Sequence, residues 1–267
     1  MRLDVTVTRG DRPLTGLTTA DFQVSDNGVR QEIDRVVSEN VPVDAWLVLD
    51  TSSSVEGKRL DELRIAAHAF LAGLTPRDRG ALVTFTQQVT LRQPPTADRE
   101  ALHRALDGID AGGSTAMNDA LYTALRLLEP GLARQVVVVF SDGRDNQSWL
   151  SDDAMVEAAR RSDAVVYGVT AFDRAAPWRR DDRLPPEYEA LGRAAETTGG
   201  RIWRETGPET LRRAFLAVLD EIRTRYVIAY YPTAPVQPGW HDVKVKLTRT
   251  RGDVRTRAGY YVHTALP

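Results

Sequence analysis

The sequence contains no cysteine. That excludes disulfides, thiolate zinc sites and cysteine nucleophiles together, and it leaves the redox compartment open. Lysine is nearly missing too. Among 35 basic residues only Lys58, Lys244 and Lys246 are lysines, a bias we attribute to coding rather than chemistry. The four histidines, His68, His103, His241 and His263, are scattered along the chain, and packing in the core or at the surface is the ordinary role for each. No apolar run approaches the ~20 residues that cross a bilayer. No charge excess exists either: 35 basic against 37 acidic side chains give a net charge of −2. Without a basic face or stripe, nucleic-acid binding is not expected. No internal repeat or low-complexity tract is present. No signal peptide is visible, because Met1 runs straight into the alternating Leu3, Val5 and Val7. The expectation is either a cytosolic chain or one whose leader has been removed.

What is present is ordinary globular material, with 267 residues, 42% hydrophobic and 27% charged, enough to bury roughly three quarters of the unfolded surface. The periodicity divides it into three zones. Residues 1–42 read as short alternating strands. Leu3, Val5 and Val7 make one stripe, and Phe22 and Val24 open a second strand. Asp26-Asn27-Gly28 is a hairpin signal, followed by a strand carrying Val29, Ile33, Val36 and Val37.

Residues 43–225 alternate apolar strands with amphipathic helices. The expected strands are Ala45–Leu49, Ala81–Phe85, Val136–Phe140, Ala164–Val169 and Ile202-Trp203. The expected helices run through Leu60, Leu63, Ala67, Phe70 and Leu71, and over Leu102–Leu106, Ala116–Leu128, Asp153–Arg161, Glu187–Thr197 and Pro208–Arg223. Repeated β-α-β alternation means an α/β fold with a mostly parallel sheet covered by helices on both faces. Residues 226–267 return to strands at Tyr226–Tyr231, Trp240–Leu247 and Val254–Val262, with a turn at Thr250–Asp253. Neither terminal segment is large enough to form a stable sheet alone. We therefore expect a small β-sandwich built from both termini, with the α/β domain inserted in it.

Ligands of open parallel sheets bind beyond the carboxyl ends of the strands. Past the first strand of the middle zone stands Asp50-Thr51-Ser52-Ser53-Ser54; past the most hydrophobic one stands Ser141-Asp142-Gly143; between them, opening a helix, lies Gly112-Gly113-Ser114-Thr115. Each residue alone is an ordinary helix N-cap. Together they bring two acids and three hydroxyls to one edge, an all-oxygen donor set suited to Mg²⁺, Mn²⁺ or Ca²⁺. As residues of a sheet edge, Asp50 and Asp142 are expected to lie outside the core.

Asp50-x-Ser52-x-Ser54, Thr115 and Asp142 resemble the metal-ion-dependent adhesion site of von Willebrand factor type A (VWA) domains, and the order of strands and helices is similar over about 180 residues. The resemblance implies a VWA-like, Rossmann-like sheet and a metal site of Asp50, Ser52, Ser54, Thr115 and Asp142, holding a divalent cation, Mg²⁺ first and Mn²⁺ or Ca²⁺ otherwise. In that family the hydroxyls contact the ion directly and the acids bind directly or through water. Ser114 departs from the pattern, since a second glycine often precedes the threonine. Such a site leaves the ion under-neutralised with one position open, so the implied partner is a protein presenting Asp or Glu.

Leu17-Thr18-x-x-Asp21-Phe22-x-Val24 with Asp26-Asn27-Gly28, and later Tyr230-Tyr231-Pro232 with Arg257-Ala258-Gly259-Tyr260-Tyr261, resemble the bacterial VWFA-related Acidobacterial domain group. That likeness implies an exported protein, periplasmic or extracellular.

Catalysis fits less well. Phosphoryl-transfer sites in parallel sheets often place a second acid two residues after the aspartate, and here that position is Ser52. A serine nucleophile needs a histidine base, and no histidine lies in these segments. A metal-dependent phosphoester hydrolase and an intracellular VWA scaffold coupled to an ATPase are the alternatives to a binding module. Trp149 and Trp178 lie in loops leaving the same sheet edge and are candidate partner-binding anchors; the plainer role is to pack each loop onto the domain. Trp46 and Trp203 are expected in the core and Trp240 in the β domain. Arg9-Gly10-Asp11 and Arg251-Gly252-Asp253 read as turns. The charged, proline-bearing stretch Asp173–Pro186 reads as a solvated loop placed to influence specificity.

Overall fold

The computed structural model describes residues 1–262 except 11, 39–40, 142–144, 172–183, 206–207 and 234–236. The chain opens with strands β1 (Arg2–Arg9), β2 (Arg12–Pro13), β3 (Phe22–Asp26), β4 (Val29–Gln31) and β5 (Ile33–Val37). The middle runs through β6 (Val43–Asp50), α1 (Lys58–Ala72), β7 (Arg79–Phe85), β8 (Val89–Thr96), α2 (Arg99–Asp107), α3 (Met117–Arg126) and β9 (Arg134–Ser141). It continues through α4 (Asp152–Arg161), β10 (Val165–Ala171), α5 (Glu189–Thr198), β11 (Ile202–Glu205) and α6 (Pro208–Arg223). The chain closes with β12 (Tyr226–Tyr230), β13 (Gly239–Leu247), β14 (Asp253–Arg255) and β15 (Gly259–Val262).

The middle segment forms one sheet in the order β11-β10-β9-β6-β7-β8, parallel except for the antiparallel edge strand β8. Every residue of β6 and β9 is buried, because helices cover both faces. Val43, Ala45, Leu47 and Leu49 point into a core shared with Leu63 and Phe70 of α1 and Phe215 and Val218 of α6. Trp46 and Val48 point the other way, against Leu121 of α3, Met155 of α4 and Leu191 of α5. The α/β fold read from the alternation is the one observed.

Strands from the two ends of the chain pair with each other. β1 lies antiparallel to β12 and β14, and β12 to β5; β13 lies between β3 and β15, with β4 beyond β3. The two sheets close on Leu3, Val5, Val7, Phe22, Val24, Tyr226, Ile228, Tyr230, Val243 and Tyr260. The Asn27-Gly28 turn joins β3 to β4 with Asp26 opposite Val29, and Asn27 sits at φ +46°, as a type I′ turn requires.

Three expectations need correction. β8 was not anticipated: it is a largely exposed edge strand carrying Pro94 and Pro95, without the apolar signal of a buried strand. The segment after Gly28 is not one strand but β4 and β5, which belong to different sheets. Val254–Val262 likewise divides into β14, paired to β1, and β15, paired to β13. Such sheet-switching bends form the corners of a closed sandwich.

A buried polar seam joins the sandwich to the α/β body. Arg134 at the start of β9 pairs with Asp4 of β1 at 2.7 Å and donates to the Ile222 carbonyl. The fully buried Arg225 donates to the Tyr167 hydroxyl at 2.8 Å and to the carbonyls of Asp4 and Gly199. Glu221 of α6 accepts from Tyr167 at 2.9 Å and from Arg255 of β14 at 2.6 Å.

Candidate metal centre

The run of eight buried residues in β6 ends on Asp50, so the strand delivers this carboxylate to the carboxyl edge of the sheet. One oxygen, Oδ1, accepts the Ser52 amide at 2.9 Å, and the other accepts the Ser141 hydroxyl at 2.7 Å, from the end of the neighbouring strand β9. Asp50 is fully buried, against the expectation that it lies outside the core. The loop then turns through the short 3₁₀ segment Ser53–Val55, which brings the Ser52 and Ser54 hydroxyls within 3.0 Å of each other. Thr51 anchors the start of the loop by donating its amide and its hydroxyl to the Phe85 carbonyl of β7.

The loop before α3 is tied to this one. Ser53 donates its amide to the Gly113 carbonyl at 3.0 Å, and Gly112 donates to the Thr51 carbonyl at 2.8 Å. Gly113 holds φ +85°, a left-handed conformation costing a side-chain-bearing residue roughly 1–2 kcal/mol. The next residues are fixed from elsewhere: Ser114 donates to the Gln87 side chain at 3.2 Å, and Ala116 to the Thr86 carbonyl at 2.9 Å. Thr115, which is buried, donates its amide to Asn146 Oδ1 at 3.0 Å and accepts the Asn146 and Gln147 amides at its carbonyl. Three loops, after β6, before α3 and after β9, are therefore braced against one another. Asp50, Ser52, Ser54 and Thr115 stand on these loops; Asp142 and Trp178 lie outside the described residues, as does most of the Asp173–Pro186 stretch.

Trp149 is 97% exposed, so it does not pack its loop onto the domain. The loop is held by acids: Asp119 accepts the amides of Trp149 and Leu150 at 3.0 Å, and Asp145 accepts those of Asn118 at 2.8 Å and Ser148 at 3.0 Å. The result is a fixed backbone presenting a free ring. Trp46 is buried and Trp203 half-buried, while Trp240 lies in β13 of the sandwich.

Sequence reasoning passed over Ser141, Asn146, Asp119 and Gln87 as supports of the site. Ser141 adjoins Asp142, so its nearness to the edge was readable. The other three act through contacts with distant segments and leave no local signature.

The donor chemistry fits a hard divalent cation. Hydroxyl and carboxylate oxygens suit Mg²⁺, Mn²⁺ or Ca²⁺, and the 3.0 Å Ser52–Ser54 hydroxyl pair shows two of them already converging. Among the described residues, no group of three or more His, Asp or Glu side chains is placed to hold a metal ion, so a conventional imidazole or carboxylate cage is not formed by them. A cleft of about 660 Å³ opens between Met1–Asp4, the end of α3 and α4; it contains none of the oxygen donors and lies at the opposite ends of the strands.

The family model of the von Willebrand factor type A domain matches residues 45–144. A UPF0353 protein of Mycolicibacterium paratuberculosis is 30% identical over 217 residues, 73% of this chain and 64% of its own length. The chain thus spans less than two thirds of that curated relative. Among solved structures, a von Willebrand factor type A protein from Catenulispora acidiphila superposes with a TM-score of 0.56 at 16% identity, over 93% of this chain and 75% of its own. Proximal thread matrix protein 1 from the mussel byssus, with a zinc-occupied MIDAS motif, superposes with a TM-score of 0.57 at 17% identity, over 73% of this chain and 49% of its own. These two structural likenesses establish the shared fold.

Proposed function

This chain is a von Willebrand factor type A domain protein, and from that premise we propose that it is a metal-dependent protein-binding module. Asp50, Ser52, Ser54, Thr115 and Asp142 hold a divalent cation, Mg²⁺ in the first place, and the partner presents an Asp or Glu to it. The carrying observation is the bracing of three loops around the converging Ser52 and Ser54 hydroxyls. The mussel protein whose adhesion-site motif holds zinc supports the reading by analogy.

When bound, the cation supplies a Lewis-acidic position for a partner carboxylate. The residues of the chain do the rest. Ser141 and the Ser52 amide fix the Asp50 carboxylate, so its charge stays at the sheet edge and does not swing into solvent. Asn146 fixes the backbone of Thr115. Three of the five donors are neutral hydroxyls, so an open position on the ion would take a partner carboxylate, and that attraction exceeds a surface salt bridge where water is excluded. Trp149 supplies an exposed aromatic surface of the kind that anchors interfaces. We read the site as binding and not catalytic, because Ser52 stands where a general acid would be and the described histidines lie on other elements. We further propose an exported setting, on the likeness of the flanking motifs to their bacterial group.

The test is binding to immobilised short peptides that differ only in Glu against Gln, or Asp against Asn. The acidic peptides are expected to bind in Mg²⁺, to be released by chelator, and to bind at least tenfold less well to Thr115→Ala. Trp149→Ala is expected to weaken binding while leaving stability within about 0.5 kcal/mol, as for exposed substitutions generally. Equal retention of the amide peptides, or retention indifferent to chelator, would contradict the reading.

A further inference from the structure

Two of the four histidines meet. His68 lies on α1 and His103 on α2, and their Nδ1 atoms stand 2.6 Å apart. The ring centroids are 4.8 Å apart with 26° between planes. That separation nearly equals the N···N distance plus the two ring radii, so the rings meet edge to edge with the Nδ1 positions facing. Asp107, one helical turn after His103 on the same face of α2, accepts from His68 Nε2 at 2.8 Å. A carboxylate only accepts, so Nε2 of His68 carries a proton toward Asp107. In the neutral His68 ring Nδ1 is then the lone-pair nitrogen turned toward His103, and the facing His103 Nδ1 supplies the proton of the N···N bond.

A carboxylate that fixes one ring nitrogen and aims the other is the support found behind histidine metal ligands. We propose that His68 and His103 form a second, nitrogen-donor metal site that takes a borderline divalent ion of the Zn²⁺, Ni²⁺ or Cu²⁺ class, with water completing the coordination. On binding, the proton between the two rings moves to Nε2 of His103, and both Nδ1 lone pairs turn to the ion. Two ligands at the usual zinc–nitrogen distance in a tetrahedral arrangement lie about 3.3 Å apart, so the rings need to part by about 0.7 Å from their present 2.6 Å. Both rings are only partly buried and Asp107 is exposed, so side-chain rotation suffices and an ion can enter from solvent.

This site does not depend on the oxygen-donor centre, and its preferences are different. Imidazole selects Zn²⁺, Ni²⁺ and Cu²⁺, whereas the oxygen set selects Mg²⁺, Mn²⁺ and Ca²⁺. His68 and His103 are not within the 145–150 or 111–116 loops, so occupancy of one site can be read separately from the other. With two nitrogen ligands the site is weaker than a four-ligand structural zinc site, which is bound far more tightly.

The test is a nitrogen-correlated proton spectrum of the histidine rings of the full chain, which has four histidines, titrated with Zn²⁺ in saturating Mg²⁺. One equivalent of Zn²⁺ is expected to shift the Nδ1 signals of His68 and His103 and leave His241 in place. His103→Ala should take up one Zn²⁺ fewer per chain than wild type while its Mg²⁺ binding is unchanged. Asp107→Asn should weaken Zn²⁺ binding 10- to 100-fold without abolishing it, which a purely packing role would not do. If the two rings respond to pH but not to stoichiometric Zn²⁺, or if His103→Ala binds as much Zn²⁺ as wild type, the pair is a hydrogen-bonded contact and the proposal is wrong.

Discussion

His241 is the residue whose charge the sandwich has arranged most completely. Its Nε2 donates to the Gln237 carbonyl at 2.8 Å and its Nδ1 to the Asp26 carboxylate at 2.9 Å. Neither acceptor can donate, so both ring nitrogens carry protons and the imidazole is cationic. The Gln237 carbonyl, with help from Asp26 and against the cost of burial, raises its pKa above the ordinary value. Burial pushes Asp26 up, yet hydrogen bonds from Tyr260, His241 and Tyr230 outweigh it and hold the carboxyl low. Tyr260, buried against that carboxylate, is pushed up to about 12. A group whose folded pKa is raised stabilises the fold fully below its unfolded value, about 6.5 for histidine. That contribution fades as pH rises through the folded value. Urea midpoints should therefore fall in wild type as pH rises above about 6.5, through the raised folded value, and fall less in His241→Gln. Parallel curves for the two proteins would show that this cluster does not control the pH dependence.

Corners of the sandwich explain what periodicity alone could not reveal at the scale of elements. β14 and β15 look like one strand in the sequence because Val254 and Tyr260 to Val262 continue an apolar rhythm. β15 opens on Gly259, where a Cβ would fall inside contact distance of the His241 carbonyl and the Trp240 ring, a constraint set by residues almost twenty positions earlier. Gly259→Ala should cost roughly 1–3 kcal/mol, as overpacking does, measured as a drop in the urea midpoint. An unchanged midpoint would mean the corner tolerates a methyl group. β8 stayed hidden for the opposite reason: an exposed edge strand needs no apolar face. β6 and β9 were legible because burial on both sides demands an uninterrupted apolar run. The candidate site was readable in the same local way, as Asp50-x-Ser52-x-Ser54 lies on one loop. Its braces Asn146 and Gln87, and the meeting of His68 with His103, arise only when distant segments fold together.

Across the whole molecule, the seam of Asp4, Arg134, Tyr167, Glu221, Arg225 and Arg255 makes the sandwich and the α/β body share buried charges. Arg201 adds a further contact to Glu221 at 3.0 Å. Removing one member of a buried charged group leaves the others uncompensated, at a cost of about 3–5 kcal/mol. Wild type should unfold in a single transition, whether followed by helix signal or by amide exchange of the sandwich strands. Glu221→Ala should lower the midpoint and separate the two signals, because Arg255 of β14 loses its acid on α6. Coincident transitions at the wild-type midpoint would show that the two parts do not depend on the seam. The seam lies at the strand ends away from the oxygen-donor loops, so Glu221→Ala should leave cation binding intact in the folded protein.

The braced loops are expected to hold a divalent cation. Calorimetric titration of chelator-treated protein with Mg²⁺ tests it most directly, with Ser54→Ala and Asp50→Asn as controls chosen because Ser54 is exposed and Asp50 is a buried hydrogen-bond acceptor. Wild type should show one saturable Mg²⁺ site, weakened in Ser54→Ala and lost in Asp50→Asn, with both variants folded. Mg²⁺ binding that is equally strong in both variants, or no Mg²⁺ binding by wild type even with an acidic peptide present, would contradict it.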